Sequence, residues 1–307
     1  MTTKQINIRT ILLTGLLFGS VMLTAFYLPA NDLHPLEAVR GHYRAIKTLN
    51  EKPNPARAAL DTITYPWTEY SNGALAKALM RTYYLSREQE NHLPALIKSP
   101  ANSSDQTNAD LAYLLDLQKR RTPEEVRHAT AIGEVGSWPE IINPTDPAYK
   151  ENLSQLFYIA TPVGEWFNPE SFPATTQLLK NTLQDIRVTE FRLKQYFKRP
   201  RPYHLSAEIE PVMKIKSPSF ASGHTLWAFT QAFLFAEIIP AKRNEFLKRA
   251  EEVRWSRELL GIHFPTDNEA SRIVSWHLLN KWMENPQFIT DLERAKAEWR
   301  SKSKSFQ

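Results

Sequence analysis

The sequence predicts an all-α protein, and three observations predict it. Long segments place apolar residues at helical spacing. No segment sustains the strict apolar–polar alternation of a half-buried strand. No internal repeat or low-complexity tract interrupts the series.

The elements follow in chain order. Lys4 and Arg9 precede an uncharged apolar run, residues 11–28, the layout of a secretory signal or an uncleaved anchor helix. Eighteen residues sit at the lower edge of what spans a bilayer. Small residues are wanted one and three positions before a cleavage point, and Leu23 before Ala25 and Leu28 before Ala30 make both sites poor. Residues 31–60 are polar and carry Pro35, Pro53 and Pro55, a lead-in with one helical pattern near residues 36–49. A helix is expected over residues 73–85, with Leu75, Ala78, Leu79 and Tyr83 as its stripe, and another over 110–119 after a loop at 99–107. Thr122-Pro123-Glu124-Glu125 has the form of a capping box with Pro at the first helical position, opening a helix that runs to about Ile132. Residues 133–149, broken by Gly and Pro, read as loop. The strongest amphipathic pattern spans 174–197. Residues 225–239 are almost wholly apolar and predict a central helix buried on most sides. Charged amphipathic helices follow at 243–260 and 268–283, and the last residues, with Lys302 and Lys304, read as a frayed tail. The implied division is a signal or anchor (1–30), an N-terminal helical part (31–170), a catalytic core (171–290) and a tail (291–307).

Composition excludes several classes. With 42% hydrophobic residues and a mean hydropathy of −0.44 the chain is not a polytopic membrane protein. Its net charge of +5 is too mild, and too little interleaved with aromatics, for a nucleic-acid binder. There is no Cys, so disulfides, thiolate metal sites and lipid attachment through Cys are excluded. An exported, bacterial-envelope protein fits this composition. Monomer and homo-oligomer both stay open.

The chemistry is concentrated in three clusters between Lys194 and Asp267. In the first, K-Q-Y-F-K-R-P-R-P, Lys194 and Arg201 lie seven residues apart, and Pro200 and Pro202 stop the helix, so both cations can reach one anion. In the second, P-S-F-A-S-G-H-T, Ser222-Gly223-His224 opens the apolar helix; Ser can cap, Gly permits close approach, and a helix N-terminus attracts anions. In the third, S-R-E-L-L-G-I-H-F-P-T-D, Arg257 nears a helix end that Gly261 terminates, and Asp267 stands four residues after His263. The carboxylate can accept from one ring nitrogen and leave the other as a nucleophile. Together these groups can hold a phosphoryl group and pass it to a histidine. Trp227, one turn after His224, is a candidate pocket wall. His34, His42, His92, His128 and His277 have no ligand-like spacing, and His204 reads as structural.

In order, the clusters read K-x6-R-P, S-G-H and S-R-x5-H-x3-D. This closely resembles the signature of the type 2 phosphatidic acid phosphatase superfamily, whose soluble exported branch is the class A bacterial non-specific acid phosphatases and whose fold the vanadium haloperoxidases share. The resemblance implies that the fold is the acid phosphatase/haloperoxidase helical bundle. It implies that Lys194, Arg201 and Arg257 bind phosphate oxygens and that Ser222 and the Gly223 N–H complete the cradle. His263 would attack phosphorus, Asp267 would orient it, and His224 would protonate the leaving oxygen. It implies no metal or cofactor, with vanadate an inhibitor, and a small phosphomonoester as substrate. A lipid-phosphate or prenyl-pyrophosphate phosphatase tethered by residues 11–28, and a haloperoxidase using vanadate as cofactor, are the alternatives. One position departs from the pattern: Ala221 stands where the family usually has Pro before Ser-Gly-His, which predicts a looser turn with the chemistry kept.

Overall fold

The computed structural model describes residues 49–135 and 144–305. The apolar run at 11–28, the helical pattern at 36–49 up to residue 48, His34 and His42 lie outside the described residues. Among the described residues the structure is helical without strands, and no helix is long and apolar enough to cross a membrane.

The α-helices are α1 (Asn72–Leu79), α2 (Arg87–His92), α3 (Asp105–Arg120), α4 (Pro123–Val135), α5 (Tyr149–Gln155), α6 (Pro173–Phe197), the short α7 (Pro202–Leu205), α8 (Gly223–Ile238), α9 (Arg243–Leu259), α10 (Pro265–Trp282) and α11 (Pro286–Lys302). The apolar helix α8 is the axis of the bundle, as its composition predicts. Only His224, Ala236 and Glu237 escape full burial along it. It packs against α9, α10, α6 and α11, while α6 also packs on α1 and α11, and α9 on α4.

Four expectations are corrected. Helix α1 stops at Leu79 rather than running to residue 85. The reason is Asp185 of α6: its buried carboxylate accepts the backbone N–H groups of Tyr83, Tyr84 and Leu85, holding them in a turn, and also accepts from Trp282 Nε1 at 2.7 Å. Leu79, counted in the predicted stripe, is 84% exposed. Helix α3 starts at Asp105, earlier than the pattern suggests, because Ser104 accepts from the Thr107 N–H at 3.1 Å and caps it. Helix α4 runs through Gly133 to Val135, into the stretch read as loop; residues 136–143 of that stretch lie outside the described residues.

The C-terminal segment is not a frayed tail. Asn285 caps α11 by accepting from the N–H groups of Gln287 and Phe288, and Phe288, Leu292 and Ala295 bury one face against the bundle. In return Glu298 of α11 accepts the N–H groups of Ala174 and Thr175 at 3.1 and 3.0 Å, satisfying the first turn of α6.

Candidate active site

The three clusters converge on one cavity of about 210 Å³, smaller than the roughly 300–1,000 Å³ of drug-sized ligand sites and suited to a small anion. Lys194 comes from the last turns of α6, before Lys198 ends the helix in the left-handed region with φ 49°. Arg201 comes from the extended segment that the two prolines enforce, with φ −75° and ψ 160°. Gly223 and His224 open α8, Arg257 lies near the end of α9, and His263 follows Gly261, whose φ of 69° makes the predicted turn. All six line the cavity, joined by Arg187, Glu190, Phe191, Ile215, Ser217 and Ile262.

The His263–Asp267 pair is formed as its spacing predicts. Asp267 Oδ2 lies 3.1 Å from His263 Nδ1 and also accepts the Phe264 N–H at 2.9 Å and the Ser219 hydroxyl. Its Oδ1 accepts from Arg199 Nη1 at 2.7 Å. Burial would raise this carboxyl, but Arg199 and the His263 and Ser219 hydrogen bonds outweigh it and hold the group well below the usual carboxylate range. An ionised carboxylate only accepts, so His263 carries its proton on Nδ1. Nε2 is left as a lone pair and accepts from Arg201 Nη1 at 2.8 Å. Burial, then the charge of Arg201, holds His263 well below its ordinary pKa and therefore neutral.

The cations are held before any ligand arrives. Arg201 donates to Ser217 O (2.9 Å) and Ile262 O (2.8 Å). Lys194 Nζ donates to Pro218 O at 2.7 Å, and burial, then Arg201, push its pKa down to about 7. Arg257 donates to Ser256 Oγ (3.0 Å) and Ala129 O (2.9 Å), and its pKa is lowered to about 10 by burial and Arg201. His224 Nε2 lies 2.9 Å from Gly133 O, a pure acceptor, so Nε2 carries a proton and Nδ1 is the atom that can titrate. Burial, then Arg257, depress His224 well below its ordinary value. That depression disfavours the charged form that a proton donor to the leaving oxygen needs.

Two predicted placements are not realised. Ser222 makes no side-chain cap; its Oγ donates to Thr225 Oγ1 at 3.0 Å and is not part of the cavity wall. Thr225 Oγ1 donates to Asn268 Oδ1 (2.7 Å) and Asn268 Nδ2 to Glu258 Oε1 (2.8 Å), so Ser222 ties the start of α8 to α10 and α9. Trp227 is fully buried and stacks on Tyr158 rather than lining the cavity. His204 is structural as read: Nδ1 accepts the Arg201 N–H at 3.1 Å while Nε2 faces Glu69 at 3.3 Å. His92, His128 and His277 do not line the cavity. Ala221 is buried beside Phe220, which packs on the Phe197 ring.

Some site residues escaped the sequence reading. Arg199, two residues before Arg201 in the same motif, carries an equal charge there, and only the fold shows that it serves Asp267 rather than the cavity. Glu190 and Arg187 lie one and two turns before Lys194 on α6, a spacing that places all three on one face. The carbonyls of Ala129 and Gly133 carry no side-chain signature at all.

Residues 174–289 match the PAP2 superfamily, and all eight predicted site residues lie inside the matched range. It is 31% identical over 133 residues to a non-specific acid phosphatase of Providencia stuartii, covering 41% of this chain and 54% of that protein. It is 28% identical over 204 residues to a non-specific acid phosphatase of Salmonella typhimurium, covering 64% of this chain and 77% of that one. The Providencia match thus spans about half of that relative's length. A transmembrane PAP2-type phosphatidylglycerolphosphate phosphatase of Bacillus subtilis superimposes with a TM-score of 0.42 at 21% identity, over 64% of this chain and 90% of that chain.

Proposed function

We propose that this protein is an acid phosphatase that hydrolyses phosphomonoesters through a phosphohistidine on His263, without a metal. The observation that carries the reading is the pair of hydrogen bonds on His263: Nδ1–H on Asp267, Nε2 unprotonated and turned to Arg201. Phosphate oxygens would take the Arg201 Nη1 donor and the charges of Lys194 and Arg257, releasing Nε2 to attack phosphorus. The bond from phosphorus to the ester oxygen breaks as the phosphorus–Nε2 bond forms. His224, charged at Nδ1 in the field of the bound phosphate, gives its proton to the leaving alkoxide. It then takes a proton from the water that cleaves the phosphohistidine. Three fixed cations supply the charge stabilisation that a metal ion supplies in other phosphoryl-transfer sites. The requirement for a protonated His224 favours an acidic to near-neutral optimum.

The names of the Providencia and Salmonella relatives support the same activity. The basic and then apolar segment at residues 4–28 supports export, with the enzyme released or held at the membrane.

The test is hydrolysis of p-nitrophenyl phosphate by the full chain in excess EDTA, beside His263→Ala. Turnover that resists EDTA and drops by at least about 10³-fold in the variant is expected. Retention of turnover in His263→Ala would remove the phosphohistidine, and loss in EDTA that added metal restores would remove the metal-free mechanism.

A further inference from the structure

Among the groups lining the cavity one is out of character. Glu190 is an acid in a site built for an anion, and its residue surface is 7% exposed. Its carboxylate packs directly on Gly223: a Cβ at that position would stand 2.1 Å from Oε1. So the acid sits where α8 begins, beside the groups assigned to the phosphate. Oε2 is buried and makes no hydrogen bond. Arg187 Nη1 stands 3.8 Å from it, beyond hydrogen-bond reach. A buried carboxylate oxygen that has an ion-pair neighbour but no hydrogen bond is costly, and such a group in a native protein calls for a reason, a ligand donor among them.

A phosphate dianion cannot be that partner, because it and a carboxylate are both acceptors and repel. A donor carried by the alcohol part of the substrate fits that place. An ammonium would meet Arg187 as a like charge. A hydroxyl can donate to Glu190 and accept from Arg187 at once. Phe191 and Ile215, in the same wall, offer apolar surface to a carbon skeleton. We propose that Glu190 and Arg187 form the alcohol subsite and select phosphomonoesters bearing a hydroxyl next to the ester carbon, as polyol and sugar phosphates do. This rests on the phosphatase reading above.

The test compares two substrates that differ only in such hydroxyls, glycerol 2-phosphate and isopropyl phosphate, with the full chain and with Glu190→Ala and Glu190→Gln. The wild type is expected to favour glycerol 2-phosphate in kcat/KM by at least about tenfold, since a site that hydrogen-bonds a substrate hydroxyl discriminates strongly against its absence. Glu190→Ala should bring the ratio to within about threefold of unity. Glu190→Gln keeps the shape and an acceptor oxygen but loses the charge, and should lower the ratio by at least about threefold; it carries the test if the alanine variant does not fold. A wild-type ratio near unity, or a ratio that neither variant moves, overturns the subsite and leaves the phosphatase reading standing. Failure of the wild type to turn over either ester while folded overturns both.

Discussion

Gly133 in α4 is the place where Arg257 lies down: a Cβ there would stand 2.7 Å from Arg257 Nη2 and 2.9 Å from Nη1. The same helix offers the Ala129 carbonyl to Arg257 and the Gly133 carbonyl to His224. The N-terminal half of the chain, which carries no recognisable motif, therefore aims the proposed phosphate-binding cation Arg257 and the proposed acid His224. Gly133→Ala should push the guanidinium out of place while improving helix propensity by up to about 1 kcal/mol. The expected result is a thermal midpoint within a few degrees of wild type, a kcat/KM lower by roughly tenfold, and weaker inhibition by inorganic phosphate. A stable variant with unchanged phosphate inhibition would show that Arg257 does not bind the anion.

This divides what was legible in the sequence from what was not. Helices α6, α8, α9 and α10 could be read because each carries its own apolar pattern and its own stop, Pro200 or Gly261 among them. The proposed catalytic pair could be read because His263 and Asp267 are one turn apart. Contacts across the chain left no local trace: Asp185 ending α1 a hundred residues away, Glu298 starting α6, the α4 carbonyls on Arg257 and His224. Residue type and position make Ser222 a cap candidate, but its Oγ donates to the Thr225 hydroxyl and accepts no helix N–H, which its type alone does not show.

Lys194 should make anion binding pH-dependent. Its pKa in the folded protein is about 7, against an ordinary value near 10.4. Below pH 7 it is charged in both folded and unfolded chains, and its burial penalty is fully present. As pH rises from about 7 to 10.4 the folded state sheds this proton first, the penalty is relieved, and this contribution to stability rises. Phosphate affinity runs the other way, because a neutral Lys194 offers no charge. Vanadate inhibition should weaken above pH 7 by up to about tenfold per pH unit, measured against Lys194→Met, which cancels the ionisation of vanadate itself. Parallel pH profiles in the two proteins would place Lys194 outside the anion site.

Arg199 should matter to His263 without touching substrate. It is buried, donates to Asp267 Oδ1 and to Thr266 Oγ1 at 2.9 Å, and lies over the Phe264 ring at 4.0 Å. Because burial pushes the Asp267 carboxyl up and Arg199 is the largest opposing influence, Arg199→Gln leaves an uncompensated buried carboxylate. The expected loss of stability is about 3–5 kcal/mol at neutral pH, by denaturant titration. The depressed Asp267 stabilises the wild type above the unfolded carboxyl value and fails it only in strong acid. In the variant that loss should begin at higher pH. Arg199→Lys, which keeps the charge but not the fork, should recover part of the stability. If Arg199→Gln and wild type unfold alike across pH 3–7, Arg199 does not hold Asp267 ionised.

Asp110 of α3 stands behind that pair and pulls the opposite way. Its Oδ2 accepts from Thr266 Oγ1 at 2.5 Å, its Oδ1 is buried without a hydrogen bond, and burial drives its pKa up to about 7 against the pull of Arg199. A carboxyl raised on folding leaves stability untouched below its unfolded value near 3.9. The penalty grows as pH climbs from about 4 to 7 and is complete above 7. The isosteric Asp110→Asn cannot ionise and so escapes it. Relative to wild type, the variant should gain roughly 2 kcal/mol more at pH 8 than at pH 4, read as the difference in unfolding free energy at the two pH values. The sign separates this from an ordinary lost hydrogen bond, which would cost the same at both. An equal offset at pH 4 and 8 would mean that Asp110 is already ionised in the folded protein at acid pH, with Arg199 shared between two carboxylates rather than committed to Asp267.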